Sequence, residues 1–207
     1  MDRDRFFEEW AAALIVERRL DRETAMPFLR TADEDGAATR EVFFDRVRLR
    51  LGIDEPTDVL VDAYWRDQLG RYKCDEDTIA GLRRMRDLGY KVGIATNGGA
   101  RQIDKIGAAG LDCVVDGIAV SREVGFAKPD PRLFAAAAKR CGASLEGAWV
   151  VGDRPETDIA GAVAIGARSV WISRRLLWAE PRFRPTLSAA TAAEAMLLVA
   201  AADGLDS

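Results

Sequence analysis

Histidine is absent from all 207 residues of the chain. That excludes histidine-dependent triads and histidine-bound zinc or iron, and leaves any metal site to oxygen ligands, which suit magnesium or calcium. Cysteine is scarce: Cys74, Cys113 and Cys141 are odd in number and have no C-x-x-C spacing. The thiols therefore read as reduced, as in a cytoplasmic protein. No apolar run approaches the roughly 20 residues of a membrane-spanning helix, and the start, Met-Asp-Arg-Asp-Arg, is too acidic for a signal peptide. Basic charge is not in excess either. The net charge is −4, so no nucleic-acid partner is expected.

What is present is apolar content of 48%, enough to bury the core of one ordinary domain with a small accessory one. From Asp4 to about Leu20, the residues Phe6, Phe7, Trp10, Leu14 and Ile15 recur at helical spacing, with Asp4 as the expected cap. A second helix is expected over Asp21 to Arg30, disturbed at Pro27. Phe43, Phe44, Val47 and Leu51 mark a third, stopped by Gly52, and Leu60, Val61, Tyr64, Trp65 and Leu69 a fourth, entered through Pro56. No strand pattern precedes Tyr90. Residues 1–73 thus read as a helical accessory unit whose aromatic residues form its own core. Any that face a ligand would come from Trp10, Phe44, Tyr64 and Trp65.

Residues 74–207 alternate instead. A helix over Asp77 to Leu88 leads into a strand, Lys91 to Thr96. A helix (Ala100 to Ala109), a strand (Gly117 to Ser121), a helix (Asp130 to Cys141) and a strand ending at Asp153 follow. Then come a helix (Thr157 to Ile165), a strand (Arg168 to Ser173) and a final apolar helix over Ala190 to Ala202. Alternation with nearly continuous apolar strands predicts an α/β fold, a parallel sheet covered by helices on both faces. Arg174 to Pro185 reads as a surface loop without function.

Three stretches carry chemistry. Trp149-Val-Val-Gly-Asp153 places Asp153 at the carboxyl end of a buried strand, with Asp158 five residues on. Close carboxylates repel, so a cation or a lysine between them is the usual remedy; otherwise Asp153 caps the next helix and Asp158 is solvated. The strand ending at Thr96 runs into Asn97-Gly98-Gly99 and a helix, which is either an anion cradle of hydroxyl and backbone N–H groups or an ordinary Asn-Gly turn. In Lys128-Pro-Asp-Pro-Arg, Asp130 caps a helix and Pro131 opens it, which leaves Lys128 to neutralise an anion or to sit solvated.

In this order and spacing, I-A-T-N-G, S-R-E-V-G-F-A-K-P-D-P-R-L-F and V-V-G-D-R-P-E-T-D-I-A-G-A resemble the haloacid dehalogenase-like (HAD) superfamily over roughly Asp75 to Ser173. The likeness is to its phosphatase-rich branch with a helical cap, into which the four helices before Arg71 fit. It implies a Rossmannoid parallel sheet and hydrolysis of a small phosphorylated metabolite through an aspartyl-phosphate. Thr96 would bind phosphoryl oxygens with backbone N–H groups at Asn97 and Gly98. Lys128 would neutralise the nucleophile and the transferring group, Asp153 would help hold magnesium, and Asp158 would support the metal or orient the lysine.

One part of the pattern is missing. The family's first motif, an apolar strand ending in Asp-x-Asp-x-Thr or Val, supplies the nucleophile, the general acid/base and most of the magnesium site. The only Asp-x-Asp near the start is Asp2-Arg3-Asp4, with no strand before it and Phe6 where Thr or Val belongs. The polypeptide as it stands is therefore expected to be inactive and to bind magnesium weakly or not at all. The resemblance also places the missing strand between those ending at Thr96 and Asp153. Three outcomes follow: a natural start upstream of Met1, which is the favoured expectation, direct pairing of the two flanking strands, or a segment from elsewhere in the slot. A non-catalytic binding or regulatory module and a haloacid dehalogenase-like hydrolase are the alternative functions. Oligomeric state is not legible.

Overall fold

A computed structural model of the chain describes residues 3–34 and 37–205. Cα packing divides it into two compact units, Met1–Tyr72 and Lys73–Ser207.

The first unit contains α1 (Arg3–Glu17), α2 (Arg22–Asp33), α3 (Arg40–Leu51) and α4 (Thr57–Leu69). Local chemistry sets several of the ends. The Thr24 N–H donates to the Asp21 carboxylate at 3.1 Å and the Val42 N–H to the Thr39 hydroxyl at 3.4 Å, each satisfying an amide that a first turn leaves open. Gly52 closes α3 at φ +65°, the left-handed conformation that glycine adopts without penalty. Two expectations fail. Asp4 lies within the first turn of α1 and not at its cap; its neighbour Asp2 lies outside the described residues. α2 also runs straight through Pro27, because Met26 and Leu29, both buried, anchor the helix on either side of the missing N–H.

Aromatic rings fill the centre of this unit. Trp10 meets Phe43, Phe44 and Tyr64 edge-on with centroids 5.8, 5.5 and 5.0 Å away. Trp10, Phe44 and Tyr64 are buried core, and Trp65 packs half-buried against them. The Arg40 guanidinium is buried among the rings, 4.8 Å from the Phe43 centroid and 5.2 Å from that of Tyr64, and pairs with the buried Asp33 carboxylate.

The second unit contains α5 (Glu76–Asp87), β1 (Gly93–Thr96), α6 (Arg101–Ala108), β2 (Gly117–Val120), α7 (Ser121–Val124), α8 (Pro131–Arg140) and β3 (Trp149–Gly152). A single π turn (Pro155–Ile159), α9 (Ala160–Ala164), β4 (Arg168–Ile172), β5 (Leu187–Ala189) and α10 (Ala192–Ala202) complete it. Every ladder is parallel: Gly93 pairs with Gly117 in β1–β2, Trp149 with Arg168 in β3–β4, and Val170 with Leu187 in β4–β5. The expected α/β architecture is present, with differences in detail. β5 has three residues, too few to leave a pattern. Ser121 begins α7 and does not end β2. The helix expected from Thr157 starts instead as the π turn, in which the Arg154 carbonyl accepts from the Thr157, Asp158 and Ile159 N–H groups at 3.4, 2.8 and 3.4 Å.

The sheet is split. β1–β2 form one ladder and β3–β4–β5 another, with no pairing between β1 and β3. Direct closure of the two flanks does not occur, and no described strand lies between them. Both ladders nevertheless point the same way, because the carboxyl ends of β1 and β3 converge on Lys128.

Candidate functional site

At the carboxyl end of β1, Asn97 is more than a turn residue. Its side-chain oxygen accepts the Lys128 N–H at 2.7 Å and its side-chain nitrogen donates to the Lys128 carbonyl at 3.1 Å, so the loop carrying Lys128 is clamped to the end of β1. Gln102 in turn donates to the Asn97 carbonyl at 2.8 Å. Gly98 adopts φ +146°, a conformation for glycine. Its N–H is not the free donor expected from the sequence. It donates to the Ser121 hydroxyl at 2.9 Å, while its carbonyl accepts the Arg122 N–H at 3.1 Å, which ties the loop to the start of α7.

On the far side of Lys128, α8 opens as the sequence predicts, with Pro131 in its first turn and the Asp130 carboxylate accepting the Arg132 N–H at 2.9 Å. The Arg132 guanidinium grips the same carboxylate and holds it well below the usual range, at about 2. It also lies 3.4 Å from the centroid of the Phe126 ring, bracing the loop from outside.

The Lys128 ammonium reaches across to the carboxylate of Asp158, 2.7 Å away, with both side chains largely buried. The other Asp158 oxygen accepts the Arg154 N–H at 3.0 Å, fixing the carboxylate to the turn that follows β3. Gly152 makes room for this: a Cβ at that position would run into the Asp158 side chain. The π turn swings Asp158 inward, so it is 5% exposed and not the solvated residue of the blander reading. Asp153 does not cap the following turn. Its carboxylate pairs with Arg174 at 2.8 Å, and its carbonyl accepts the Trp171 indole N–H at 3.1 Å. The loop after Ser173, read as functionless, thus contributes a charge at the edge of the site.

Thr96, Asn97, Lys128, Asp153 and Asp158 therefore gather at the carboxyl ends of β1 and β3, where open α/β sheets bind ligands. The family described as haloacid dehalogenase-like hydrolase matches residues 7–166. The chain belongs to the haloacid dehalogenase-like hydrolases. Among HAD relatives, phosphoserine phosphatase of Thermus thermophilus is 35% identical over 153 residues, covering 73% of this chain and 61% of that protein. Glyceraldehyde 3-phosphate phosphatase of Methanopyrus kandleri is 37% identical over 135 residues, covering 63% and 58%. The matches to these two curated relatives thus span about three fifths of their length. The fold is that of solved HAD structures, including a HAD phosphatase from Thermococcus onnurineus (TM-score 0.62, 24% identity, 94% of this chain and 88% of that one). A 2-haloacid dehalogenase from Pseudomonas syringae is similar in fold too (TM-score 0.65, 21% identity, 96% and 89%).

Magnesium, expected from the HAD resemblance, does not fit the carboxylates as they stand. Among the described residues no three metal-ligating side chains come together. Asp158 has one oxygen on an ammonium and the other on an amide, which leaves half-exposed Asp153 as the one acid here that can turn to a cation by leaving Arg174. The sequence assigns Asn97 only a backbone N–H role, and leaves its side chain, Ser121 and Arg174 without site roles. Asn-Gly reads equally well as a turn, and nothing in the local pattern ties a serine or an arginine to a partner 20 residues away.

Proposed function

We propose that this chain carries the phosphate-gripping part of a HAD phosphatase acting on a small phosphorylated metabolite, with residues 1–73 as its substrate-selecting cap. The observation that carries the reading is the buried Lys128–Asp158 pair clamped by Asn97 beside the end of β1. It holds a positive charge at the carboxyl end of β1, the strand that finishes at Thr96, as a site for an anion requires. The phosphatase names of the curated relatives support it. In the proposed reaction an aspartate carboxylate attacks phosphorus and the ester oxygen leaves with a proton from a general acid. Water then cleaves the acyl-phosphate to release inorganic phosphate and restore the carboxylate. Thr96 and Lys128 bind the phosphoryl oxygens, and Asp158 orients Lys128. The attacking aspartate belongs to an apolar strand ending in Asp-x-Asp, which the sequence lacks in recognisable form.

The test is hydrolysis of an aryl phosphate in magnesium buffer by the chain alone and by a fusion with such a strand ahead of Met1. The chain alone is expected to match background. The fusion is expected to turn over and to lose about a hundredfold or more in kcat/KM on Lys128→Ala. Robust turnover by the chain alone, or a fusion indifferent to Lys128→Ala, refutes the assignment. A folded but inert fusion favours the non-catalytic binding module instead.

A further inference from the structure

Two cations lean on the loop that follows β1, and only one of them has an acid. The first is Lys128, whose backbone is clamped by the Asn97 side chain and whose ammonium meets Asp158. The second is Arg122. β1 and β2 run parallel with Thr96 level with Val120, so Arg122, two residues past Val120, stands at the same edge of the sheet as Lys128 and Asp158. Its N–H donates to the Gly98 carbonyl at 3.1 Å, and the Gly98 N–H donates to the Ser121 hydroxyl at 2.9 Å. The backbone of Arg122 is therefore fixed to the loop whatever its side chain does.

Gly99 shows where that side chain lies. Gly98 needs glycine for its positive φ, but Gly99 has no positive φ, so a left-handed backbone does not account for a second glycine. Close approach does. A Cβ at residue 99 would lie 3.3 Å from Cδ and 3.5 Å from Nη1 of Arg122, which folds back over the loop with its stem against the glycine. The residue is nevertheless exposed, and among the described residues no carboxylate or carbonyl pairs with its guanidinium. Its neighbour Glu123 is held by Arg140 at 2.8 Å. Lys128, Arg132 and Arg174, by contrast, each hold an acid. An arginine fixed along its stem with its fork open is preorganised for an oxyanion.

We infer that Arg122 is a second anion seat, and that the substrate carries two acidic groups: the phosphate that is transferred, at Lys128, and a carboxylate or second phosphate, at Arg122. The inference deepens the phosphatase reading and rests on it for the first of these groups. The chemistry of the fork sets the class of the second. A guanidinium offers two parallel N–H donors that match two oxygens of one carboxylate or phosphate, and an uncharged hydroxyl or amide tail would leave its charge unanswered. Spacing limits the size. Asn97 and Gly99, on which the two cations lean, are two residues apart, at most about 7 Å along the backbone, so a metabolite of a few carbons spans both. This selection is made by the second unit itself.

Binding tests this without the attacking aspartate. The whole chain, labelled with ¹⁵N, is titrated with glycerol 3-phosphate, with 3-phosphoglycerate and with propane-1,3-diol bisphosphate, while the Gly98 and Gly99 amides and the Arg122 Nε–H are followed by NMR. The two probes with a second acidic group are expected to bind about tenfold or more tighter than glycerol 3-phosphate, and the Arg122 Nε–H should shift with them alone. Arg122→Gln should bring the affinity ratio close to one, and Arg122→Lys should keep part of it, because the charge stays and the fork is lost. Preference for just one of the two probes supports the seat and identifies its group as carboxylate or phosphate. The inference is overturned by a ratio near one in the wild type, by a ratio that survives Arg122→Gln, or by failure of all three probes to bind at millimolar concentration. It is overturned too if the ratio collapses in Arg154→Gln instead, Arg154 being the exposed arginine after β3 that also lacks an acid among the described residues. An inert fusion in the aryl phosphate assay refutes the reaction and leaves the ratio standing, whereas a productive fusion without the ratio refutes the second seat alone.

Discussion

Asp158 accepts from an ammonium on one oxygen and a backbone amide on the other, and it does so nearly out of water. A carboxylate so placed is fixed in position, and it fixes Lys128 in return. The arrangement depends on a hydrogen atom at Gly152, since any side chain there meets Asp158. Gly152→Ala is therefore expected to displace Asp158 and to cost about 1–3 kcal/mol, measured as a lower urea midpoint. An unchanged midpoint would mean that the turn yields freely. The sequence spacing puts Thr96 and Asp153 where β1 and β3 finish, and Lys128 ahead of α8. It does not reveal the Asn97 clamp, because Asn-Gly after a strand satisfies an ordinary turn equally well.

The helices of the first unit follow their local signals closely, down to the stop at Gly52. Their packing brings in something the periodicity hides: a buried Arg40–Asp33 pair set among Phe43 and Tyr64. Removing one member leaves the other charged and without its partner in an apolar setting. Asp33→Ala should destabilise this unit by about 3 kcal/mol, read as earlier loss of the near-ultraviolet aromatic signal in a urea titration. Full retention of that signal would sink the claim. Removing Asp33 and Arg40 together for apolar residues should cost less than Asp33→Ala alone, since no orphan charge remains. In the second unit the π turn illustrates the reverse limit. Thr157 reads as a helix start, whereas the chain makes a π turn over Pro155–Ile159 in which Asp158 meets Lys128.

Asp203 ties together Tyr90, Trp149 and Arg168, which belong to opposite sides of the split sheet. The Tyr90 hydroxyl foremost, then Arg168 and Trp149, hold the Asp203 carboxyl below its ordinary value, against a smaller opposing effect of burial. Its own burial first, and then the same contact, push Tyr90 up to about 12. A carboxyl lowered in the folded state gives stability that is present above its unfolded value, about 3.9, and is lost as the pH falls through the folded one. Asp203→Asn should lower stability at pH 7 by about 2 kcal/mol. Its urea midpoint should also fall less steeply than the wild type's once the pH drops below that unfolded value. Parallel curves for the two proteins would remove Asp203 from the clamp.

Helical spacing, caps and the alternation of apolar runs are properties of neighbouring residues, so the α/β class, the strand ends and the polar groups on them can be read directly from the chain. The partner of a charge and the closing or parting of two strand edges depend on groups brought from afar, such as Tyr90 and Asp203, which are 113 residues apart. No local pattern encodes those meetings. They are settled when packing brings the groups together, and that is why Lys128 finds Asp158, Asn97 finds Lys128, and the two halves of the sheet stand apart with their facing edges open.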